Sequence, residues 1–155
     1  MDVNSINPIL SSFVSILPQI GFQTVEKREV KLIEPMLENI GLLINISMVG
    51  PLRGSIVIGM EVEAAKQFAS KMMMGMPVLE LDELAQSAIS EMGNMVCATA
   101  CTNYNLAGID GLDISPPTLL IGEGGQVKLA VPKVILVRFE VDGIMVNVYI
   151  GLFEA

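Results

Sequence analysis

Hydrophobic residues recur along the chain with two different periods, and each period predicts a different kind of element. Apolar side chains spaced three or four residues apart are typical of amphipathic helices. The segments with this spacing are 4–20, 62–74 and 82–105. Pro18 and Gly21 are stop signals for the first segment, and Asp82 can cap the third. We therefore expect three helices, of which the last is the longest.

Strand-like runs occupy most of the remaining chain. Runs rich in Val, Ile and Leu that are bounded by Gly, Pro or Asp are typical of strands. The predicted strands are 24–33, 40–49, 52–60, 118–122, 127–141 and 144–153. The dipeptide Asp142-Gly143 lies between the last two strands and is a strong hairpin signal. Gly50-Pro51 separates the second and third strands. Connections this short predict antiparallel neighbours.

The order of these elements predicts an α+β fold. One helix is followed by strands and a second helix, and then a third helix is followed by more strands. We expect a mostly antiparallel sheet of five to six strands with the long helices packed on one face. The two groups suggest two loosely similar halves, although no sequence motif is repeated between them. No linker or low-complexity segment divides the chain, so we expect a single domain over 1–155.

Charge and hydropathy argue against two classes of partner. The net charge is −8 and there is no basic stretch, so we expect no binding to nucleic acid. The mean hydropathy of +0.60 raises the question of a membrane span. However, Asn45 and Pro51 interrupt the most apolar run, 40–52, which is too short to cross a bilayer. The first residues carry no basic region, so we expect neither a signal peptide nor membrane insertion.

The cysteine and histidine content limits the possible chemistry. Cys97 and Cys101 lie one turn apart on a predicted helix, where a disulfide would close no useful loop, so we interpret them as reduced thiols of a cytoplasmic protein. The chain has no histidine, which excludes a His-based triad and most zinc sites. The Gly-rich run 122–125 is followed directly by neither a helix nor a lysine. A small-molecule enzyme with its own cofactor therefore has little support.

The long third helix carries an unusual polar stripe. Ser87, Glu91 and Asn94 fall within an arc of roughly 60° on a helix of 3.6 residues per turn. The other side of the helix is filled by apolar residues, so the stripe is expected to face outward among small neighbours such as Ser90 and Gly93. A solvated helix face is the ordinary explanation. Gly93 and Asn94 are poor residues for the middle of a helix, however, and local propensity tends to be given up at functional positions.

Four blocks of sequence resemble the CheC/CheX/FliY family of chemotaxis phosphatases. They are GPLRGSIVIGM (50–60), KMMMGMP (71–77), LDELAQSAISEMGNM (81–95) and DISPPT (113–118). The resemblance covers about residues 40–122. It centres on the spacing Ser87-x3-Glu91-x2-Asn94, followed after 22 residues by Pro117. The first predicted helix has no Glu-x-x-Asn, so the chain is most similar to the CheX type, which has a single centre.

The resemblance implies a function and a role for each residue of the motif. The family removes the aspartyl phosphate from phosphorylated CheY-type response regulators. By resemblance, Asn94 orients the attacking water and Glu91 pairs with the regulator's active-site lysine. Ser87 and Ala98 would contact the partner, and Pro117 would support the helix. The chain would need no cofactor or metal of its own, because the regulator's own acids hold the Mg²⁺.

Some alternatives remain open at this point. A module of the same fold that binds or sequesters a regulator or a flagellar-switch component without catalysis is the second interpretation. The resemblance also implies a homodimer with sheets joined edge to edge, and the long apolar final strand, 144–153, is interpreted as an edge strand. The dense methionines at 72–74 and 76 are interpreted either as flexible core filler or as an adaptable contact surface.

Overall fold

The computed structural model describes residues 3–155 and contains three α-helices and nine strands in that part of the chain. The helices are α1 (Asn7–Gln19), α2 (Val62–Met72) and α3 (Glu83–Leu106). The strands are β1 (Val25–Ile33), β2 (Met36–Glu38), β3 (Leu42–Val49), β4 (Leu52–Met60), β5 (Asp113–Ile114), β6 (Thr118–Ile121), β7 (Gln126–Lys128), β8 (Val134–Val141) and β9 (Ile144–Glu154). The predicted α+β class is confirmed, with more strands than the sequence indicated.

Seven of these strands form one antiparallel sheet in the order β1-β8-β9-β4-β3-β5, and β6 also pairs with β3. The strand order shows that the two halves of the chain have similar arrangements of elements. In each half a helix is followed by an outer strand and then by a hairpin: α1, β1 and β3–β4 in the first half, and α3, β6 and β8–β9 in the second. The two hairpins meet at the central pair β4–β9, which explains the loose similarity of the halves.

The final strand, β9, lies in the centre of the sheet, so the prediction that it is an edge strand is wrong. It pairs with β8 on one side and with β4 on the other. The reason is its burial on both faces, since the consecutive residues Val148–Leu152 are all buried. The outer strands are β1 on one side and β5 with β6 on the other. β1 is rich in charge, which is a common way to keep a sheet edge from aggregating.

The predicted strand 127–141 is two strands, because the backbone leaves the sheet around Pro132. Proline cannot donate a ladder hydrogen bond and rarely continues a strand. β7 pairs with β2 to form a separate two-stranded ribbon, which the sequence analysis missed. Side chains of the ribbon pack against the main sheet, on the face opposite the helices, and form a small apolar cluster there. This cluster contains Leu37, Leu43, Val57, Leu129, Val134, Leu136 and Tyr149.

All three helices pack on one face of the sheet, as predicted. The main core contains side chains from each helix and from the inward-facing positions of the central strands, such as Ile44, Ile46, Ile56 and Ile58. None of the helices in the described part of the chain is long and apolar enough to span a lipid bilayer. Because α1, α2 and the sheet share the main core with α3, they form a rigid support for it.

Candidate functional site

The start of α3 is held by side-chain hydrogen bonds. The Asp82 carboxylate accepts a hydrogen bond of 2.9 Å from the backbone N–H of Ala85, which satisfies one of the free donors in the first turn. The Gln86 side chain donates at 2.8 Å to the carbonyl oxygen of Leu81. Together these bonds set where the helix begins and therefore the rotational position of every side chain that follows.

The apolar side of α3 determines which residues face outward. Ile89, Met92, Val96 and Ala100 are fully buried against the sheet and the other helices. At the far end, the Tyr104 hydroxyl donates a hydrogen bond of 2.8 Å to the carbonyl oxygen of Ser5. Burial raises the pKa of this phenol, so it stays protonated and remains a donor. The residues between these anchors cannot rotate toward the core.

Gly93 is buried on the inner side of α3. The prediction that it lies on the outward-facing side with Ser90 is therefore wrong. A Cβ at this position would lie 3.0 Å from Cγ2 of Ile44 and 3.4 Å from Cδ1 of Ile46. The absence of a side chain therefore lets the helix lie close to β3. The poor helix propensity of Gly93 is explained by packing, and only Asn94 remains as a residue whose position the core does not explain.

A groove of about 490 Å³ runs along the outward side of the first half of α3. It is lined by Glu83, Gln86, Ser87, Ser90, Glu91, Asn94, Pro117 and Leu119. Four of the five candidate site residues thus come together in one place: Ser87, Glu91, Asn94 and Pro117. Ala98 is exposed one turn further along the helix and does not line the groove.

Four residues of the groove lining were not among the candidate site residues: Glu83, Gln86, Ser90 and Leu119. Of these, the sequence pattern indicated Ser90 only as a small neighbour of the stripe. Gln86 and Ser90 continue the helical spacing from Glu83 to Asn94, and that periodicity was a usable signal. Leu119 comes from β6, whose pairing with β3 places it beside α3, and no local pattern indicates that placement.

Pro117 forms part of the groove wall opposite α3, at the start of the turn into β6. Ser115 anchors this turn to Ser47 of β3. Its backbone N–H donates to the carbonyl oxygen of Ser47 at 2.9 Å, and its hydroxyl accepts from the N–H of Ser47 at 2.9 Å. Two consecutive prolines, Pro116 and Pro117, restrict the backbone that follows. The wall of the groove is therefore held rigidly relative to the sheet.

The polar side chains of Glu91 and Asn94 have no partner within the described part of the chain. Neither the carboxylate nor the amide makes a side-chain hydrogen bond or an ion pair with another described residue. Glu91 is exposed and Asn94 is half-buried. An acceptor group and a combined donor and acceptor thus stand one helical turn apart in an open groove, available to a ligand or a partner protein.

The charged residues that line the groove are both acidic, Glu83 and Glu91. Residues 72–127 contain seven acidic residues and no Lys or Arg, whereas the rest of the chain contains ten acidic and nine basic residues. The ion pairs of the described residues all lie outside this acidic segment. The carboxylates of the groove would repel a free phosphate ester.

The two cysteines of α3 differ in their surroundings, and both are free thiols. Burial raises the pKa of Cys97 to about 12, and burial also raises the pKa of the half-buried Cys101. Since only the thiolate reacts, we expect slow labelling by 5,5′-dithiobis(2-nitrobenzoate) at pH 7.5, with Cys101 reacting before Cys97. Mass spectrometry of the singly labelled protein checks the order. Rapid reaction of both thiols without denaturant would contradict it.

A second groove, of about 450 Å³, lies beside α1 in the other half of the fold. Its lining residues are Asn7, Leu10, Ser11, Val14, Ser15, Lys27 and Phe139. Ser11 and Val14 have the same spacing as Glu91 and Asn94, but they supply neither a carboxylate nor an amide. The acid and amide pair is therefore present in the α3 groove and absent from the groove beside α1.

Comparison with known proteins first defines the class of fold. A CheC-like superfamily protein from Shewanella sp. PV-4 has a TM-score of 0.86 at 22% identity, over 99% of this chain and 99% of that one. The structure of a CheX–CheY–BeF3–Mg²⁺ complex from Borrelia burgdorferi matches with a TM-score of 0.74 at 23% identity, over 96% of this chain and 97% of that one. At these identities the likeness establishes the CheC-like fold.

The sequence then defines the family. Residues 42–140 match the family of the chemotaxis phosphatase CheX, and the chain belongs to that family. The CheY-P phosphatase CheX of Thermotoga maritima is 37% identical over 83 residues, which are 54% of this chain. The match spans about half of that relative, 53% of its length. The resemblance found in the four sequence blocks is thus confirmed.

Proposed function

We propose that this protein hydrolyses the aspartyl phosphate of a phosphorylated CheY-type response regulator. Membership of the CheX family supports this, as does similarity to a relative named for CheY-P phosphatase activity. The observation that carries the proposal is the pair of unpartnered polar side chains, Glu91 and Asn94, in one open groove. In the reaction a water oxygen attacks phosphorus while the bond from phosphorus to the aspartyl oxygen breaks, and inorganic phosphate is released.

Asn94 is the residue assigned to the attacking water. Phosphoryl transfer depends mainly on positioning and on charge stabilisation, since little covalent chemistry is left for the protein. An amide accepts a hydrogen bond from the water through its oxygen and donates to a phosphoryl oxygen through its nitrogen. It does so without adding negative charge beside the phosphate. The half-buried position of Asn94 on a rigid helix suits this positioning role.

Glu91 is assigned to the regulator's active-site lysine. The carboxylate is exposed and makes no ion pair with another described residue, so its charge is available to a partner. Pairing with a lysine fixes the register of α3 over the regulator and so places Asn94. The lysine would also offset the negative charge of the groove beside the phosphoryl group.

The remaining motif residues are assigned supporting roles. Ser87 lines the groove one turn before Glu91, and Ala98 is exposed one turn after Asn94, so both can contact a regulator that lies along α3. Pro117 restrains the opposite wall. The proposal assigns the Mg²⁺ to the regulator's own acidic residues. In the part of the chain that the structure describes, no three His, Cys, Asp or Glu side chains form a group that could hold a metal ion.

The test of the proposal is the decay of a phosphorylated CheY-type regulator with and without this protein. The regulator is loaded with a small phosphodonor and Mg²⁺, and inorganic phosphate is then followed in time. Faster decay at catalytic amounts of the protein supports the proposal. Binding of the phosphorylated regulator without faster decay would replace it with the sequestering module, in which the groove is a docking surface only.

Replacing Glu91 by glutamine is expected to raise KM for the phosphorylated regulator by about 10–100-fold, because a charge-assisted hydrogen bond contributes roughly 1.5–3 kcal/mol. Glutamine keeps the size of the side chain and removes its charge. The measurement is the initial rate of phosphate release against regulator concentration. Glu63→Gln is the matched control, since Glu63 is an exposed acid on α2 that pairs with Lys66 and does not line the groove. An unchanged KM in Glu91→Gln would remove the assigned lysine contact.

Formation of a homodimer stays a prediction. Since β9 is central, its edge is not available, and the strands that lie at the borders of the described sheet are β1, β5 and β6. We propose that a dimer with a continuous sheet uses one of these borders.

A further inference from the structure

The segment that joins α2 to α3, residues 73–82, exposes an unusual amount of apolar surface, and we call it the connector. The side chains of Met74, Met76 and Leu79 are 96%, 57% and 84% exposed, and Leu84 in the first turn of α3 is 61% exposed. These are four of the thirteen exposed large hydrophobic residues in the described chain, gathered within eleven positions. Exposed apolar residues grouped in this way mark contact surfaces more often than scattered ones do.

The connector is tied to the rest of the fold in spite of this exposure. Val78 and Leu81 are partly buried and pack against the main core. The carbonyl oxygen of Leu81 accepts a hydrogen bond from the Gln86 side chain. Val78 and Leu81 thus anchor the second half of the connector, while Met74, Met76 and Leu79 present their side chains outward. The interpretation of the methionines as core filler fails for Met74 and Met76, which face solvent.

Met74 occupies a position that usually belongs to glycine. The N–H of Gly75 donates to the carbonyl oxygen of Ser70 at 2.8 Å, and the N–H of Met74 donates to that of Lys71 at 3.2 Å, which is the hydrogen-bond pattern of a Schellman motif. Met74 lies at the left-handed residue of this motif, with φ of 60°. A side chain there costs conformational energy, and it makes almost no contact with its own chain. Helix termination therefore does not explain this methionine.

The connector adjoins the α3 groove and, like it, is acidic. The groove lining starts at Glu83, the residue directly after the connector. Glu80 and Asp82 add two acids to the apolar surface, and the whole acidic segment, 72–127, lacks Lys and Arg. A partner that covers both surfaces must offer apolar side chains bordered by positive charge. A second copy of this chain would oppose one acidic segment to another, which is unfavourable.

We propose that the connector is a second contact surface for the phosphorylated response regulator, beside the α3 groove, and that it contributes binding rather than catalysis. The inference rests on the proposed function, since it takes the same partner. Met74, Met76, Leu79 and Leu84 contact an apolar patch of the regulator, and Glu80 faces Lys or Arg at the border of that patch.

The decisive variant is Met74→Gly, because binding and folding predict opposite effects for it. Glycine removes the exposed side chain and relieves the left-handed backbone, so the variant should melt at the same temperature or up to roughly 3 °C higher. We expect KM for the phosphorylated regulator to rise roughly tenfold while kcat stays unchanged, since a large apolar side chain leaves the interface. A purely structural role for Met74 predicts no rise in KM.

A second variant and a matched control complete the experiment. Leu79→Ser should raise KM to a similar extent, because the Leu79 side chain is 84% exposed and lies on the same connector. Leu106→Ser is the control, since Leu106 is 83% exposed at the far end of α3, and it should leave KM unchanged. Each protein is also run on gel filtration and titrated against regulator activated with beryllium fluoride.

The outcomes separate this inference from the proposed function. Wild type that accelerates decay, with both variants at wild-type KM, would overturn the inference and leave the proposed function standing. Wild type that binds activated regulator without accelerating decay would overturn the function, and a tenfold weaker Kd in the variants would still support the connector. A change of oligomeric mass in the variants with unchanged KM would make the connector a contact between copies and overturn the inference. Wild type that neither binds nor accelerates a panel of regulators would overturn both.

Discussion

Asn94→Ala should lower kcat for dephosphorylation by at least about 10²-fold while KM changes little. The reason is that the amide is assigned to the attacking water, and loss of in-line positioning costs on the order of 10² in rate. The docking contacts assigned to Glu91, Ser87 and the connector remain, so binding of the ground state is preserved. Single-turnover decay of the phosphorylated regulator at saturating protein measures this step directly.

Asn105→Ala is the appropriate comparison for that variant. Asn105 is an exposed asparagine on the same helix, outside the groove, and its removal should leave both constants at wild-type values. A kcat for Asn94→Ala within threefold of wild type would show that the amide does not position the water. A tenfold rise in KM with unchanged kcat would instead make Asn94 a docking residue.

Gly93→Leu should destabilise the protein by about 3 kcal/mol, which is the upper end of the cost of overpacking. Leucine adds four carbons where even a Cβ would lie 3.0 Å from Ile44. The gain in helix propensity on leaving glycine is only about 0.8 kcal/mol, so it offsets a small part of the strain. Thermal unfolding should show Tm lower by roughly 6–12 °C. Thr102→Leu, at an exposed position of the same helix, should change the free energy of unfolding by less than about 0.5 kcal/mol.

The Gly93 variant also tests whether the distance between α3 and the sheet controls activity. If the helix relieves the strain by moving away from β3, Glu91 and Asn94 move with it, while Pro117 stays fixed to β3 through Ser115. A misplacement of about 1 Å can cost 10² in rate. We therefore expect folded Gly93→Leu at low temperature to be nearly inactive. A folded variant of wild-type activity would show that the groove tolerates such a shift.

The helices were predictable because their signals are local. Predicted segments 62–74 and 82–105 differ from α2 and α3 by at most two residues at either end. The period of apolar positions together with the cap at Asp82 was sufficient, since a helix forms all its hydrogen bonds within its own segment. The motif residues Ser87, Glu91 and Asn94 share a face for the same reason, and that part of the groove followed from the spacing.

The strands were harder to place because their partners are distant in the sequence. Ten of the fifteen residues in the run 127–141 are apolar, and only the structure shows that its first part pairs with β2 in a separate ribbon. The last strand was apolar on both faces, which is typical of a strand in the middle of a sheet. Its length was interpreted instead as a sign of an exposed edge.

The sequence by itself determined the class of fold, the family, the three helices and the acid and amide on one face of the third. These properties depend on residues close together in the chain, so their spacing is enough. The tertiary structure decided that Gly93 is a packing residue, that Pro117 and Leu119 form the opposite wall of the groove, and that Met74 and Leu79 face solvent beside it. Each of these depends on how a strand or helix packs against a segment distant in the sequence, and local patterns of polarity do not carry that information.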